Sequence, residues 1–406
     1  MVLTVLLIII YMAFISLGLP DSLLGSAWPT MYPNMGVPIS YAGIVSMIIT
    51  GGTIVSSLLS DRVIRKFGTG LVTVTSVLMT ALALLGFSIS NTFYQLCLFA
   101  IPLGLGAGSI DAALNNFVAL HYKAKHMSWL HCFWGVGAMT GPIIMSYFLE
   151  RGIIFQMGYR TVAMIQIVLT IVLLVTLPLW KKISSTHNEE LHAKESNSKE
   201  LSQKVISKKE LLQLPGAKQA LLAFFCYCAI EATLGLWGSS FVNIVYGVPA
   251  ETAAKWASLF YFGITFGRFL SGFVTLKLNN RQMIYLGEAL LAVGIIMLIL
   301  PLGQFTAIIG LVMGGVGCAP IFPSMLHETP VNFGEEYSQS IMGVQMACAY
   351  VGSTFMPPLF GVLASHISYS IMPFYAGGIL LIMVAAIKML NKRVDKKRLT
   401  EKVILS

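Results

Sequence analysis

Gly104-Leu-Gly-Ala-Gly108-Ser-Ile-Asp111-Ala-Ala-Leu-Asn115-Asn116-Phe117 forms the centre of an apolar run from Phe99 to His121. About 20 apolar residues are enough to cross a bilayer as an α-helix. This run carries a carboxylate at its middle. Steps of four, three and four residues place Gly104, Gly108, Asp111 and Asn115 on one helical face. The small end of that face admits a closely packed neighbour. Its polar end offers hydrogen bonds to a solute, or a proton to trade. A carboxylate at the bilayer centre costs about 3 kcal/mol or more, so Asp111 must face protein or water. Two readings follow: a proton-carrying or solute-binding acid, or a structural acid tied to a neighbouring helix.

The rest of the chain has the same character. It is 56% hydrophobic and 11% charged, with a mean hydropathy of +0.79, which excludes the soluble globular classes. Twelve windows are long and apolar enough to span: roughly 2–26, 40–59, 70–90, 95–121, 128–149, 159–180, 218–246, 252–276, 282–300, 305–327, 337–366 and 370–390. The first lacks a positive n-region and is too long for a signal-peptide core, so it reads as a retained helix. The six Cys (97, 132, 226, 228, 318 and 348) all fall inside spans; small apolar packing explains them better than disulfides or a metal.

The net charge of +9 does not point to nucleic acid. Eight Lys fall between Lys181 and Lys218, and six Lys or Arg fall in 391–406, all bordering spans. They read as topology signals. Loops near 60–69, 122–127, 181–217 and 277–281 carry Lys or Arg, whereas those near 27–39, 91–94, 301–304 and 366–369 carry none. With an even number of spans, both termini are expected in the cytoplasm of a plasma-membrane protein. The loop 328–336 departs from this pattern, with Glu328, Glu335 and Glu336 and no basic residue.

Several spans carry polar groups. Span one contains Pro20-Asp21 between Gly18 and Gly25, an acid beside an expected kink. Asp21 either lines a water-accessible bend or ends the span at the outer interface. Counting along the helices puts Asp21 in the outer half and Asp111 in the inner half, so the two need not meet. Span five contains His131-Cys-Phe-Trp134-Gly135-Val-Gly137 and Gly141-Pro142; His131 suits either a polar binding site or a packed interior. Span seven contains Tyr227, Glu231, Gly235 and Trp237. Rings beside an acid can bind a sugar, while Glu231 is equally suited to an ion pair with Arg268 of span eight. Glu288 in span nine reads as structural. Span ten is rich in Gly and Pro (Gly314, Gly315, Gly317, Pro320, Pro323), and span eleven offers Gln345 and Tyr350. Gly137-x-x-x-x-Pro142 returns as Gly352-x-x-x-x-Pro357, a weak echo that suits a protein made of two related halves.

The loop Ser57-Leu-Leu-Ser-Asp61-Arg62-Val-Ile-Arg65-Lys66-Phe67-Gly68 resembles the signature of the major facilitator superfamily, in which an acid and basic residues join spans two and three. Ser57 stands where that pattern has Gly. The resemblance implies an all-α membrane protein of twelve transmembrane helices in two pseudo-symmetric six-helix bundles. The expected division is 1–180 for the first bundle, 181–217 for a basic linker, 218–390 for the second bundle and 391–406 for a basic tail. Asp21, Asp111-Ala-Ala-Leu-Asn115-Asn116-Phe117 and Glu231 are most similar to the fucose–proton symporters of that superfamily, although the span-four acid is Asp and the motif's Pro is absent.

That likeness implies proton coupling through Asp21 and Asp111. It implies binding of a small polar solute by Asn115, Asn116, His131, Tyr227, Glu231, Trp237, Gln345 and Tyr350, and gating by Asp61, Arg62, Arg65 and Arg268. A drug–proton antiporter is the competing transport reading, on the partial antiporter motif Gly137-x-x-x-Gly141-Pro142. No phosphate loop, metal cluster or nucleophile–base pair is present to suggest an enzyme. The expected energy source is a proton gradient with no cofactor or metal. The expected partners are a small-molecule substrate and the lipid bilayer, with no nucleic acid, and the expected working form is a monomer.

Overall fold

A computed structural model describes residues 2–122, 124–180, 211–300 and 302–405; the side chains of Asp61, Arg65 and Asn116, among a few others within helices, lie outside that description. So does most of the expected linker, through residue 210. Among the described residues there are helices and no strands. In chain order they are α1 (Val2–Asp21), α2 (Leu23–Met35), α3 (Ala42–Phe67), α4 (Thr69–Ile89), α5 (Phe93–His121), α6 (Ala124–Leu149), α7 (Gln156–Val175), α8 (Ala217–Tyr246), α9 (Ala250–Val274), α10 (Asn280–Ile299), α11 (Gln304–Phe333), α12 (Glu335–His366) and α13 (Met372–Leu405). Twelve stretches among the described residues are long and apolar enough to cross a membrane, the first formed by α1 and α2 together (Leu3–Met35).

Two stretches depart from the expected spans. Residues 27–35 continue helically in α2 rather than forming a loop, despite Pro29 and Pro33. At the other end, α13 runs unbroken from the last span to Leu405. No Gly or Pro follows Gly378, and Lys, Arg, Leu and Glu are good helix formers, so nothing ends the helix at residue 390.

The break between α1 and α2 has a local cause. Pro20 has no N–H to offer the carbonyl of Ser16, one turn earlier. That carbonyl instead accepts from Gln166 Nε2 of α7 at 2.8 Å. Gln166, fully buried, completes its amide by accepting from Thr80 Oγ1 of α4 at 3.0 Å. A neighbouring side chain thus meets the demand that the proline creates, as a kink in a bilayer requires. The helix restarts at Leu23, with Ser26 N–H donating to the Ser22 carbonyl at 3.2 Å.

The chain divides into two compact units: residues 1–200 with 247–261, and residues 201–246 with 262–406. Residues 247–261 belong to the first because Ser146 Oγ donates to the Glu251 carbonyl at 2.8 Å and Lys255 pairs with Glu150 at 3.7 Å. In the first unit α1 packs on α6, α5 on α3 and α4, and α4 on α7. Phe14, Ile110, Phe117 and Trp180 are central to its interior. In the second, α8 packs on α12 and α13, and α10 on α11.

The two packing schemes echo each other at particular glycines. A side chain on Gly137 of α6 would collide with the Ile15 carbonyl of α1, and one on Gly352 of α12 with the Phe225 carbonyl of α8. These are the glycines of the repeated Gly-x-x-x-x-Pro pattern. Similarly, Gly104 of α5 abuts the Ile49 carbonyl of α3, as Gly263 of α9 abuts the Val312 carbonyl of α11. In lipid, helix association draws on close van der Waals contact more than on exclusion of water, and small residues make that contact possible.

Candidate functional site

The polar groups of the first unit begin with the helix break. Asp21 is the last residue of α1, and its side chain is exposed although it lies within the Leu3–Met35 span. Its Oδ2 accepts a hydrogen bond from the Trp134 indole N–H of α6 at 2.7 Å. The placement follows from the backbone. Gly18 of α1 lies against the Trp134 carbonyl, Gly137 against that of Ile15, and Gly141 against that of Leu19. With the two backbones in contact at these points, the indole reaches the carboxylate.

Asp111, on α5, is half-buried. Asn115, one turn on, donates from Nδ2 to Asp111 Oδ1 at 2.9 Å and to the Asp111 carbonyl at 3.0 Å. The neighbouring Asn116 side chain lies outside the described residues. Asp21 on α1 and Asp111 on α5 interact electrostatically within the first unit. His131 is half-buried three residues before Trp134, hence on the same side of α6; its ring meets the Phe14 ring edge-on at 5.9 Å. The unit therefore gathers two carboxylates, an amide, an imidazole and an indole within apolar helices.

The second unit holds a different group. Glu231 of α8 and Arg268 of α9 are paired at 3.9 Å, with 19% and 15% of their side chains exposed. Both of the roles open to Glu231 in the sequence therefore remain physically available, since an ion pair can also contact a solute. Tyr227, one turn before Glu231, is buried and packs against the Phe322 ring at 5.7 Å. Its hydroxyl lies beside the Glu231 carboxylate.

Other expected site residues are enclosed. Trp237 is fully buried; its indole N–H donates to the Pro357 carbonyl at 2.8 Å, and its ring packs with Phe360 and Tyr369. Gln345 is 1% exposed and accepts from Thr329 at 3.1 Å. It borders a small cavity of about 20 Å³ with Glu328, Asn332 and Asn391. Tyr350 is half-buried on α12. Of the expected gating residues, Arg62 is exposed near the end of α3, while the side chains of Asp61 and Arg65 lie outside the described residues.

Three contacts have no clear forerunner in the sequence: Trp134 on Asp21, Gln166 on the Ser16 carbonyl, and Arg281 between two acids. Arg281 approaches Glu328 at 3.7 Å and Asp395 at 2.9 Å. The one available signal is the four-residue step from Ser16 to Pro20, which marks a carbonyl in need of a donor without naming it. Among the described residues no three His, Cys, Asp or Glu side chains are grouped to hold a metal.

Comparison with known proteins agrees with this architecture. The chain is 25% identical over 387 residues to the Bypass of stop codon protein 6 of Saccharomyces cerevisiae, covering 89% of this chain and 77% of that one. It is 21% identical to the Glucose/mannose transporter GlcP of Bacillus subtilis, covering 86% of each. Among solved structures, a single-substitution mutant of the peptide transporter POT superposes with a TM-score of 0.74 over 96% of this chain and 95% of that one, at 13% identity. A mutant of the nucleoside transporter NupG gives 0.72 over 94% and 98%, at 12% identity. Residues 10–343 and 256–403 match the Major Facilitator Superfamily. With twelve membrane-length helices, paired glycine crossings in its two units and a family match along almost its whole length, the chain belongs to the Major Facilitator Superfamily of multi-pass membrane transporters.

Proposed function

We propose that this protein is a proton-coupled symporter of a sugar or a similar small polar solute, working by alternating access in the plasma membrane with both termini in the cytoplasm. The observation that carries this reading is Asp21: an exposed carboxylate at a helix break inside a membrane span, held by an indole. A carboxylate so placed can take and release a proton as access changes.

Asp21 and Asp111 are assigned to proton coupling. Asn115 and His131 in the first unit, and Tyr227 and Glu231 in the second, are assigned to the solute. Amide, imidazole, carboxylate and aromatic groups suit a polyhydroxyl compound, which offers hydroxyls to acceptors and C–H faces to rings. The likeness to a glucose/mannose transporter supports that solute class.

In energised cells expressing the protein, adding a monosaccharide is expected to make a lightly buffered medium more alkaline as protons enter with the solute. Sugar uptake with no proton movement would overturn the coupling. Silence across sugars, with proton release from energised vesicles on adding a cationic drug, would assign the protein to drug–proton antiport.

A further inference from the structure

Trp134 is the direct partner of the exposed carboxylate in span one, yet the proton-coupling and solute assignments above do not use it. Its indole N–H is a donor and nothing else. Its bond to Asp21 Oδ2 is 2.7 Å long. Such a bond is roughly twice as strong to an ionised carboxylate as to a neutral acid. Protonation of Asp21 adds one O–H donor to the carboxyl group and removes its charge. The bond to the indole then weakens, while the glycine contacts at Gly18, Gly137 and Gly141 keep α1 and α6 together. Protonation is thus felt by one ring without separating the helices.

We propose that Trp134 is a positioning residue that senses the protonation state of Asp21, holding the ionised carboxylate in one orientation and releasing it when the acid is neutral. His131 lies one helical step away on the same side of α6, so the Trp134 ring shares a helix face with a residue assigned to the solute. In this way the proton on Asp21 prepares the first unit for substrate. The proposal rests on the reading of Asp21 as a proton-coupling residue.

The test uses the full-length protein labelled with 5-fluorotryptophan, in lipid nanodiscs without substrate. The fluorine resonance of Trp134 is identified by its loss in W134F and followed against pH in the wild type and in D21N, a nearly isosteric change. The expected result is a single pH-dependent shift in the wild type. In D21N the resonance should stay near its acid-side position at every pH. In parallel, W134F is expected to lower uphill uptake about tenfold, the loss of one bond to a charged group, while keeping substrate exchange within about twofold. A Trp134 resonance that does not move with pH in the wild type, or that moves equally in D21N, overturns the proposal. The underlying role of Asp21 is tested separately: undiminished uphill uptake by D21N would remove Asp21 from coupling, whatever the indole does.

Discussion

Asp111 and Trp237 show how differently two polar side chains in membrane helices can be used. Asp111 is half-buried, and one described partner of its carboxylate is Asn115, on its own helix. D111N is therefore expected to keep the fold, because an amide fits the same space, and to leave substrate exchange measurable. It should abolish accumulation against a gradient, since the amide cannot carry the proton. Uphill uptake at the wild-type level in proteoliposomes would exclude Asp111 from coupling. Trp237 is enclosed, and its N–H is used by the Pro357 carbonyl. W237F leaves the buried Pro357 carbonyl without its donor and is expected to cost about 1–3 kcal/mol of stability, seen as a fall in Tm with near-normal transport. Sequence alone shows that both spans contain such residues. Which ones face an accessible site depends on the rotation of each helix, which hydropathy does not encode. For the same reason the stretch 131–137 draws attention to His131 as a binding residue and gives no hint that Trp134 is the one that reaches Asp21.

At the scale of the helices, the spans are legible because each must be long and apolar to satisfy the bilayer. The glycine repeat is legible as well, as Gly137 and Gly352 occupy corresponding crossings. Helix ends read less well. Pro29 and Pro33 suggest a loop where α2 continues, and the charged run after residue 390 suggests a tail where α13 continues. The crossings give a prediction. G137L puts a branched side chain where the Ile15 carbonyl lies, and backbone cannot give way cheaply. It should cost several kcal/mol, within the range of severe overpacking (about 3 kcal/mol or more), and appear as loss of monodisperse protein in detergent. G51A is the control, since nothing lies within 4 Å of an added Cβ there. It should be neutral or stabilise by up to about 1 kcal/mol through helix propensity. Equal damage from both changes would show that the crossing is not the constraint. Gln166 makes a second case: Q166L leaves the Ser16 carbonyl without its donor and should lower Tm through a buried unsatisfied group, worth about 1–3 kcal/mol.

At the scale of the whole molecule, the proposed orientation rests on the distribution of charge, and one segment departs from that logic. Glu328, Glu335 and Glu336 border a loop that the positive-inside rule expects to carry Lys or Arg. Glu328 is not a loop charge: it is 9% exposed within α11 and lies 3.7 Å from Arg281, near the start of α10, which also binds Asp395 of α13 at 2.9 Å. Arg281 in the first turn of α10 thus pairs with one of the three acids, which leaves Glu335 and Glu336 as the charges of the segment itself. The proposed orientation predicts that a fluorescent protein fused after residue 406 will be fluorescent when expressed in a bacterium, and that alkaline phosphatase fused there will be inactive. The reverse result would overturn the assigned orientation. R281A should leave Glu328 buried without this cation and lower Tm. R281A/E328Q should recover part of that loss, because removing the stranded charge also removes the cost of burying it. Asp395 is half exposed, so its share of the effect should fall in high salt. A Tm loss in R281A that E328Q does not relieve would place the value of Arg281 in its contact with α13 instead of in the buried pair.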